Sequence, residues 1–243
     1  KANGAGSANT DGSINTTATS VNTTAGFSIS KYTGTGSNAT VGHGLGVVPK
    51  MIIVKRLDGN DSWWVYNEAI GNGAYLVLSS NGSSSTSGAS GLWNSTSPTS
   101  SVFSVGTNGG VNASGGTYVA YCFADVTGYS KFGSYYGNDS TDGAFIFTGM
   151  KPAWVMIKAL DANESWWMFD SKRSASNVAN DGLLAESSNA EYSDNATFKL
   201  DLLSNGFKLR TADTALNKAS GYRYIYMCFA EEPLIGDNPA TAR

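Results

Sequence analysis

Apolar residues along this chain recur at every second position or in short β-branched runs, the spacing of strands rather than of helices. Phe27, Ile29 and Lys31 alternate with Ser28, Ser30 and Tyr32 as far as Gly34 and Gly36, which predicts a strand and then a turn. The run Val47-Val48-Pro49-Lys50-Met51-Ile52-Ile53-Val54-Lys55 predicts a strand covered on both faces. Pro49 stands at its start, where no ladder N–H is needed. Asp58-Gly59-Asn60-Asp61 supplies turn residues, and Ser62 to Tyr66 returns as the second strand of a hairpin. Further strands are expected at 75–78, 101–105 and 118–124, with a Ser/Gly-rich loop over 79–91. The one helical candidate covers 177–186.

The pattern is then written a second time. Pro49 through Tyr66 pairs without a gap with Pro152 through Phe169, at a constant offset of 152 − 49 = 103. The same offset pairs Lys31-Tyr32-Thr33-Gly34 with Ser134-Tyr135-Tyr136-Gly137, whereas Tyr118–Ala124 matches Tyr224–Ala230 at 224 − 118 = 106. A fixed period of this length marks duplicated structural units. The expected architecture is all-β: two tandem, mutually similar antiparallel β-sandwich (jelly-roll-like) units with few or no helices. Unit boundaries are read at 26–127 and 128–234. Residues 1–25, small and polar, read as an extended arm or linker, and 235–243 as a tail.

Charged residues make up 14% of the 243, against about 25% in an ordinary soluble domain. Ser, Thr, Asn and Gly carry solubility instead. The net charge of −3 comes without clusters of Lys or Arg, which argues against nucleic acid. No apolar run approaches the roughly 18 residues of a membrane span. The chain starts at Lys1 without Met, so its beginning reads as the edge of a longer protein. Low charge, strands apolar on both faces and a polar arm together ask for extra buried surface, hence a homo-oligomer in which the arm lies on a neighbouring subunit.

Catalytic chemistry finds no constellation, and no cofactor or metal set is read. His43, the single histidine, sits in Gly42-His43-Gly44 and reads as a turn residue with a structural or surface role, or as one member of a cluster gathered around a symmetry axis. The acidic turns at Asp58/Asn60/Asp61 and Asp161/Asn163/Glu164 space oxygens at alternate positions but are too short for a twelve-residue calcium loop. Glycoside hydrolysis needs two carboxylates in unequal environments, whereas these acids recur symmetrically. The copy-specific acids Glu191, Asp194, Asp201 and Asp213 form no motif. Cys122 and Cys228 occupy equivalent strands, as separate buried thiols or as a bridge if the strand ends meet.

The adjacent tryptophans Trp63-Trp64 and Trp166-Trp167 are more telling, because neighbours on a strand face opposite ways. Trp63 and Trp166 are expected in the core with Val65 and Met168. Trp64, Tyr66, Trp167 and Phe169 are then expected on the opposite face, either covered by a loop or subunit or free as a glycan or partner contact.

A family resemblance follows from the motif string. Gly26-Phe27-Ser28-Ile29, Tyr32-Thr33-Gly34, Val41 through Lys55, Tyr118 through Ala124, Gly128 through Tyr135 and Phe207-Lys208-Leu209-Arg210 resemble the C-terminal tandem β-repeat module of marine tailed-phage tail-fibre and virion structural proteins. The likeness covers about residues 26–232. It implies a non-enzymatic virion structural protein used for host attachment or assembly, and a location on the particle. Implied partners are other virion proteins and a host-surface glycan, and the implied assembly is a trimer. Two other classes remain open on the residues: a polysaccharide-binding or depolymerising tailspike domain, and a cellular adhesin or fibre protein.

Overall fold

The computed structural model describes residues 4–218 and 221–231. Sixteen strands and two short helices are formed among them. Two compact units result, Lys1–Leu78 with Ser84–Asp125 and Ser79–Ser83 with Val126–Arg243. No helix among the described residues is long and apolar enough to cross a membrane.

Unit 1 contains β1 (Ala18–Asn22), β2 (Phe27–Thr33), β3 (Ala39–Gly42), β4 (Met51–Arg56), β5 (Trp63–Asn67), β6 (Leu76–Val77), α1 (Ala89–Trp93), β7 (Val102–Val105), α2 (Gly109–Asn112) and β8 (Thr117–Phe123). Its larger sheet runs β1-β2-β8-β4-β5-β6 and its smaller one pairs β3 with β7. Unit 2 contains β9 (Ser130–Tyr136), β10 (Phe145–Phe147), β11 (Pro152–Ala159), β12 (Trp167–Asp170), β13 (Leu183–Leu184), β14 (Leu200–Leu203), β15 (Gly206–Leu209) and β16 (Arg223–Ala230). Its sheets run β9-β16-β11-β12-β13 and β10-β15-β14. Every pairing within these sheets is antiparallel.

The strand orders β2-β8-β4-β5-β6 and β9-β16-β11-β12-β13 are the same order in sequence-equivalent strands. Each unit is therefore an all-β sandwich of a larger sheet against a smaller one. Strand β8 shows why the core falls where it does: Tyr118, Ala120 and Cys122 are buried while their neighbours are half-exposed, the period of two that a one-sided core demands. They join Tyr32, Ile52, Val54, Phe103 and Val105 in one cluster. Tyr135, Val155, Ile157, Phe207, Leu209 and Tyr224 form its counterpart in unit 2.

Four expectations need correction. Residues 4–25 are not an arm or linker separate from the units but part of unit 1. Strand β1 pairs with β2 from Ala18↔Lys31 to Asn22↔Phe27, and Ile14 is 5% exposed in the unit's own core. What holds this stretch is backbone pairing and a hydroxyl chain, Thr16 to Thr19 at 2.9 Å, Thr19 to Ser30 at 3.0 Å and Ser30 donating to the Gly42 carbonyl at 3.0 Å. The small residues are needed there: a Cβ on Gly12 would stand 2.4 Å from the Thr40 carbonyl oxygen.

The 177–186 segment is extended rather than helical. Asn177 accepts from the Leu202 N–H at 3.0 Å and donates to the Leu202 carbonyl at 2.9 Å, a side-chain bond that replaces a helical one. The two helices lie instead at Ala89–Trp93, overlapping the end of the expected 79–91 loop, and at Gly109–Asn112. The third correction concerns the surface and symmetry-axis readings of His43, which is 0% exposed and takes the structural role that was their alternative. The fourth, the tryptophan faces, belongs to the site below. Cys122 and Cys228 are separate buried thiols and form no disulfide. The expected 235–243 tail lies outside the described residues.

Candidate functional site

The adjacent tryptophans alternate as expected, but the core lies on the other face. Tyr66 (4% exposed) packs edge-on against Trp93 of α1, with ring centres 6.0 Å apart. Trp64 is half-buried against the same cluster, edge-on to Tyr75 at 5.2 Å. In unit 2, Trp167 stacks on Phe169 and lies 4.0 Å from the Phe198 ring, and both Trp167 and Phe169 are core residues. Tyr66, Trp167 and Phe169 therefore offer no ring face to a glycan, and Trp64 only a part of one. Trp63 is the residue on the outer face of its sheet, half-buried and stacked on Tyr121 of β8 at 6.3 Å. Trp166, its equivalent, is buried as expected, at 1% exposed, although the unit 2 core cluster lies on the Trp167 side.

The residues that organise each unit are a set that sequence reasoning missed. Tyr32 and Tyr118 stack at 5.2 Å, and Tyr135 and Tyr224 at 5.0 Å. Tyr32 donates to the Val111 carbonyl at 2.7 Å, as Tyr135 does to Leu216 at 2.8 Å. The residue that follows each of these carbonyls is a fully buried asparagine. Asn112 donates to the carbonyls of Ser37 and Gly106 (2.6 and 2.8 Å) and accepts from the Thr35 N–H (2.7 Å). Asn217 repeats this on Ser140, Thr211 and Asn138 (2.8, 2.7 and 3.0 Å). A third equivalent pair caps the turn, Asn108 accepting from Gly110 and Asp213 from Ala215. Aligning Asn108-Gly-Gly-Val-Asn112 with Asp213-Thr-Ala-Leu-Asn217, at an offset of 105, would have found the clasp.

The titratable groups are committed to the same task. His43 accepts from the Leu45 N–H through Nδ1 at 3.2 Å, so Nε2 carries the proton and donates to the Thr99 carbonyl at 3.2 Å. Burial holds its pKa below the usual value. Lys55 and Lys158, equivalent at the offset of 103, each donate to the main-chain carbonyl of the equivalent turn acid, Asp61 and Glu164. Lys158 is 0% exposed, also bonds the carbonyls of Ala159 (2.9 Å) and Asn81 (3.2 Å), and is pushed down to about 8 by burial.

Arg56 bonds Asp58 at 2.8 Å and holds that carboxyl below its usual range. Of the copy-specific acids, Asp201 bonds Arg210 at 2.6 Å, Glu191 bonds Arg173, and the Asp194 N–H donates to Asp181 at 2.9 Å. Among the described residues no three His, Cys, Asp or Glu side chains gather as metal ligands.

One concavity stands on the outer face of the unit 1 sheet, with a volume of about 580 Å³. Phe27, Ile29 and Lys31 of β2, Val119 and Tyr121 of β8 and Leu57 after β4 line it, and Ala18 and Ser20 of β1 close one side.

No curated protein and no solved structure matches the chain. One family model does, over residues 1–233, a span that takes in the β1 segment and both copies of the clasp. The chain thus belongs to the family described as a domain of unknown function, DUF7483.

Proposed function

We propose that this chain is a non-enzymatic structural module of a tailed-phage virion, placed in a tail fibre or on the particle surface for host attachment or assembly. The observation that carries the reading is the duplicated clasp. Each unit spends its buried polar groups, Asn112 or Asn217 and the stacked tyrosine pair, on holding loops to strands. The buried basic groups, His43 and Lys158, are saturated by backbone partners. Such an arrangement gives rigidity and leaves no acid or base poised on a reacting atom, which suits a load-transmitting or spacing element better than a catalyst. The resemblance of residues 26–232 to tail-fibre and virion structural modules supplies the location, and trimeric assembly goes with it.

Electron microscopy of purified phage particles labelled with gold-conjugated antibody against this chain tests the reading. Regular labelling on the tail or the particle surface is expected. Labelling confined to cell envelopes would assign the chain to a cellular adhesin. Release of reducing ends from host glycan by the purified chain, lost on mutation of one acid, would make it an enzyme.

A further inference from the structure

The concavity on unit 1 is the place where the two copies diverge. Phe27, Ile29 and Lys31 correspond to Ser130, Phe132 and Ser134 at the offset of 103, and Val119 and Tyr121 to Ile225 and Met227 at 106. Leu57, 52% exposed, corresponds to Leu160, 1% exposed. Strand β1, which walls one side, has no counterpart among the described residues in the sheet of unit 2, where β9 is the last strand. Unit 2 builds the same strand order from the other residues, so the fold does not require the unit 1 set.

The chemistry of the lining is selective. It is aliphatic and aromatic apart from Ser20, whose hydroxyl is already engaged by the Gly4 carbonyl at 2.7 Å, and two other polar tips, the Lys31 ammonium and the Tyr121 hydroxyl. Neither tip has a hydrogen-bond or ion-pair partner among the described residues, and no carboxylate lines the concavity. The Tyr121 ring is held in place by its stack on Trp63. A volume of about 580 Å³ falls within the range of small-molecule sites, roughly 300–1,000 Å³, which are mostly apolar with a few placed polar groups. A hydroxyl-rich sugar would leave most of its hydroxyls unpaired here, at a cost that stacking on one tyrosine does not offset. An apolar body with a single negative charge fits both the walls and the lone cation.

We propose that this groove binds an apolar carboxylate, its chain lying on Ile29, Val119 and Leu57 and its carboxylate meeting Lys31 and the Tyr121 hydroxyl. The site is independent of the virion reading, since it would serve a fibre, an adhesin or any other carrier of this module.

The test is a titration of the isotopically labelled full chain with sodium decanoate, below its micelle concentration, followed by amide chemical shifts. Saturable shifts are expected at residues 27–31, 57 and 119–121, and not at their unit 2 equivalents. Decanol is expected to bind more weakly, and galacturonate not at all. Lys31→Gln should weaken decanoate by about three- to fivefold, the upper part of the range for a solvent-exposed charge pair. Leu57→Asp, which removes a wall and adds a repelling charge, should abolish it. Both side chains are exposed, so thermal melts should match the parent. Ser134→Lys should change nothing. Absence of saturable decanoate shifts, shifts located elsewhere, equal binding of galacturonate, binding only to phosphatidylglycerol vesicles, or full affinity in Leu57→Asp would each overturn the proposal.

Discussion

Replacing Asn112 with alanine removes the centre of the unit 1 clasp. The side chain is 0% exposed and makes three hydrogen bonds, from Thr35 and to Ser37 and Gly106. Each is worth about 1 kcal/mol net, and the Gly106 carbonyl, whose bond lies in the interior, loses that partner at a further ~1–3 kcal/mol. The expected cost is therefore about 4–6 kcal/mol, which few single substitutions reach. Asn217→Ala should cost a similar amount, because its bonds to Asn138, Ser140 and Thr211 repeat the set. Asn112→Asp keeps the acceptor, loses both donors and turns a charge toward two carbonyls, so at neutral pH it should be no milder. Urea unfolding followed by far-ultraviolet circular dichroism gives the free energies. Hydrogen exchange localises them, with the Thr35 amide losing protection in the first variant and Asn138 in the second. Asn112→Ala unfolding within about 0.5 kcal/mol of the parent would show that the clasp is incidental, and a large loss in one unit alone would show that the copies are not held alike.

Other expectations follow from the same structure. His43 is held neutral by burial, so the unfolded chain takes up its proton first as pH falls. Stability from this group is complete above about 6.5 and declines as pH drops through the lowered folded pKa, and the melting temperature of His43→Gln should change less than the parent's between pH 7 and 5. Lys158 loses its proton near pH 8 in the fold, below its ordinary 10.5, so between these values the unfolded state binds more protons. The difference in unfolding free energy between parent and Lys158→Met should therefore move in the parent's favour from pH 7.5 to 9. A constant difference would contradict it. Trp167→Ala should cost about 3–5 kcal/mol and Trp63→Ala distinctly less, since the first fills the unit 2 core and the second is half-exposed. Denaturation midpoints decide the order.

Strands were legible because their signal is local. The alternation of Phe27 to Thr33 and the run Met51 to Arg56 carry it in a handful of residues, and each of these two has a partner strand in the second copy. The choice of face was not local. Trp63 and Trp64 are equally large and apolar, and only the packing of Trp93 and Tyr75 against one side makes that side the core. The β1 segment was illegible because hydroxyls, main-chain bonds and the close approach at Gly12 hold it in place of apolar anchors. An isolated Asn112 likewise looks like any loop former. The groove could not be read at all, since it depends on which of two similar faces remains open.

The virion role is tested most directly by quantitative mass spectrometry of density-purified phage particles, with isotope-labelled peptides of this chain as standards. The account predicts that the chain co-purifies with infectivity at a fixed copy number per particle, in multiples of three for a trimeric fibre. Absence from the particles, or recovery only with the cell envelope fraction, would contradict it.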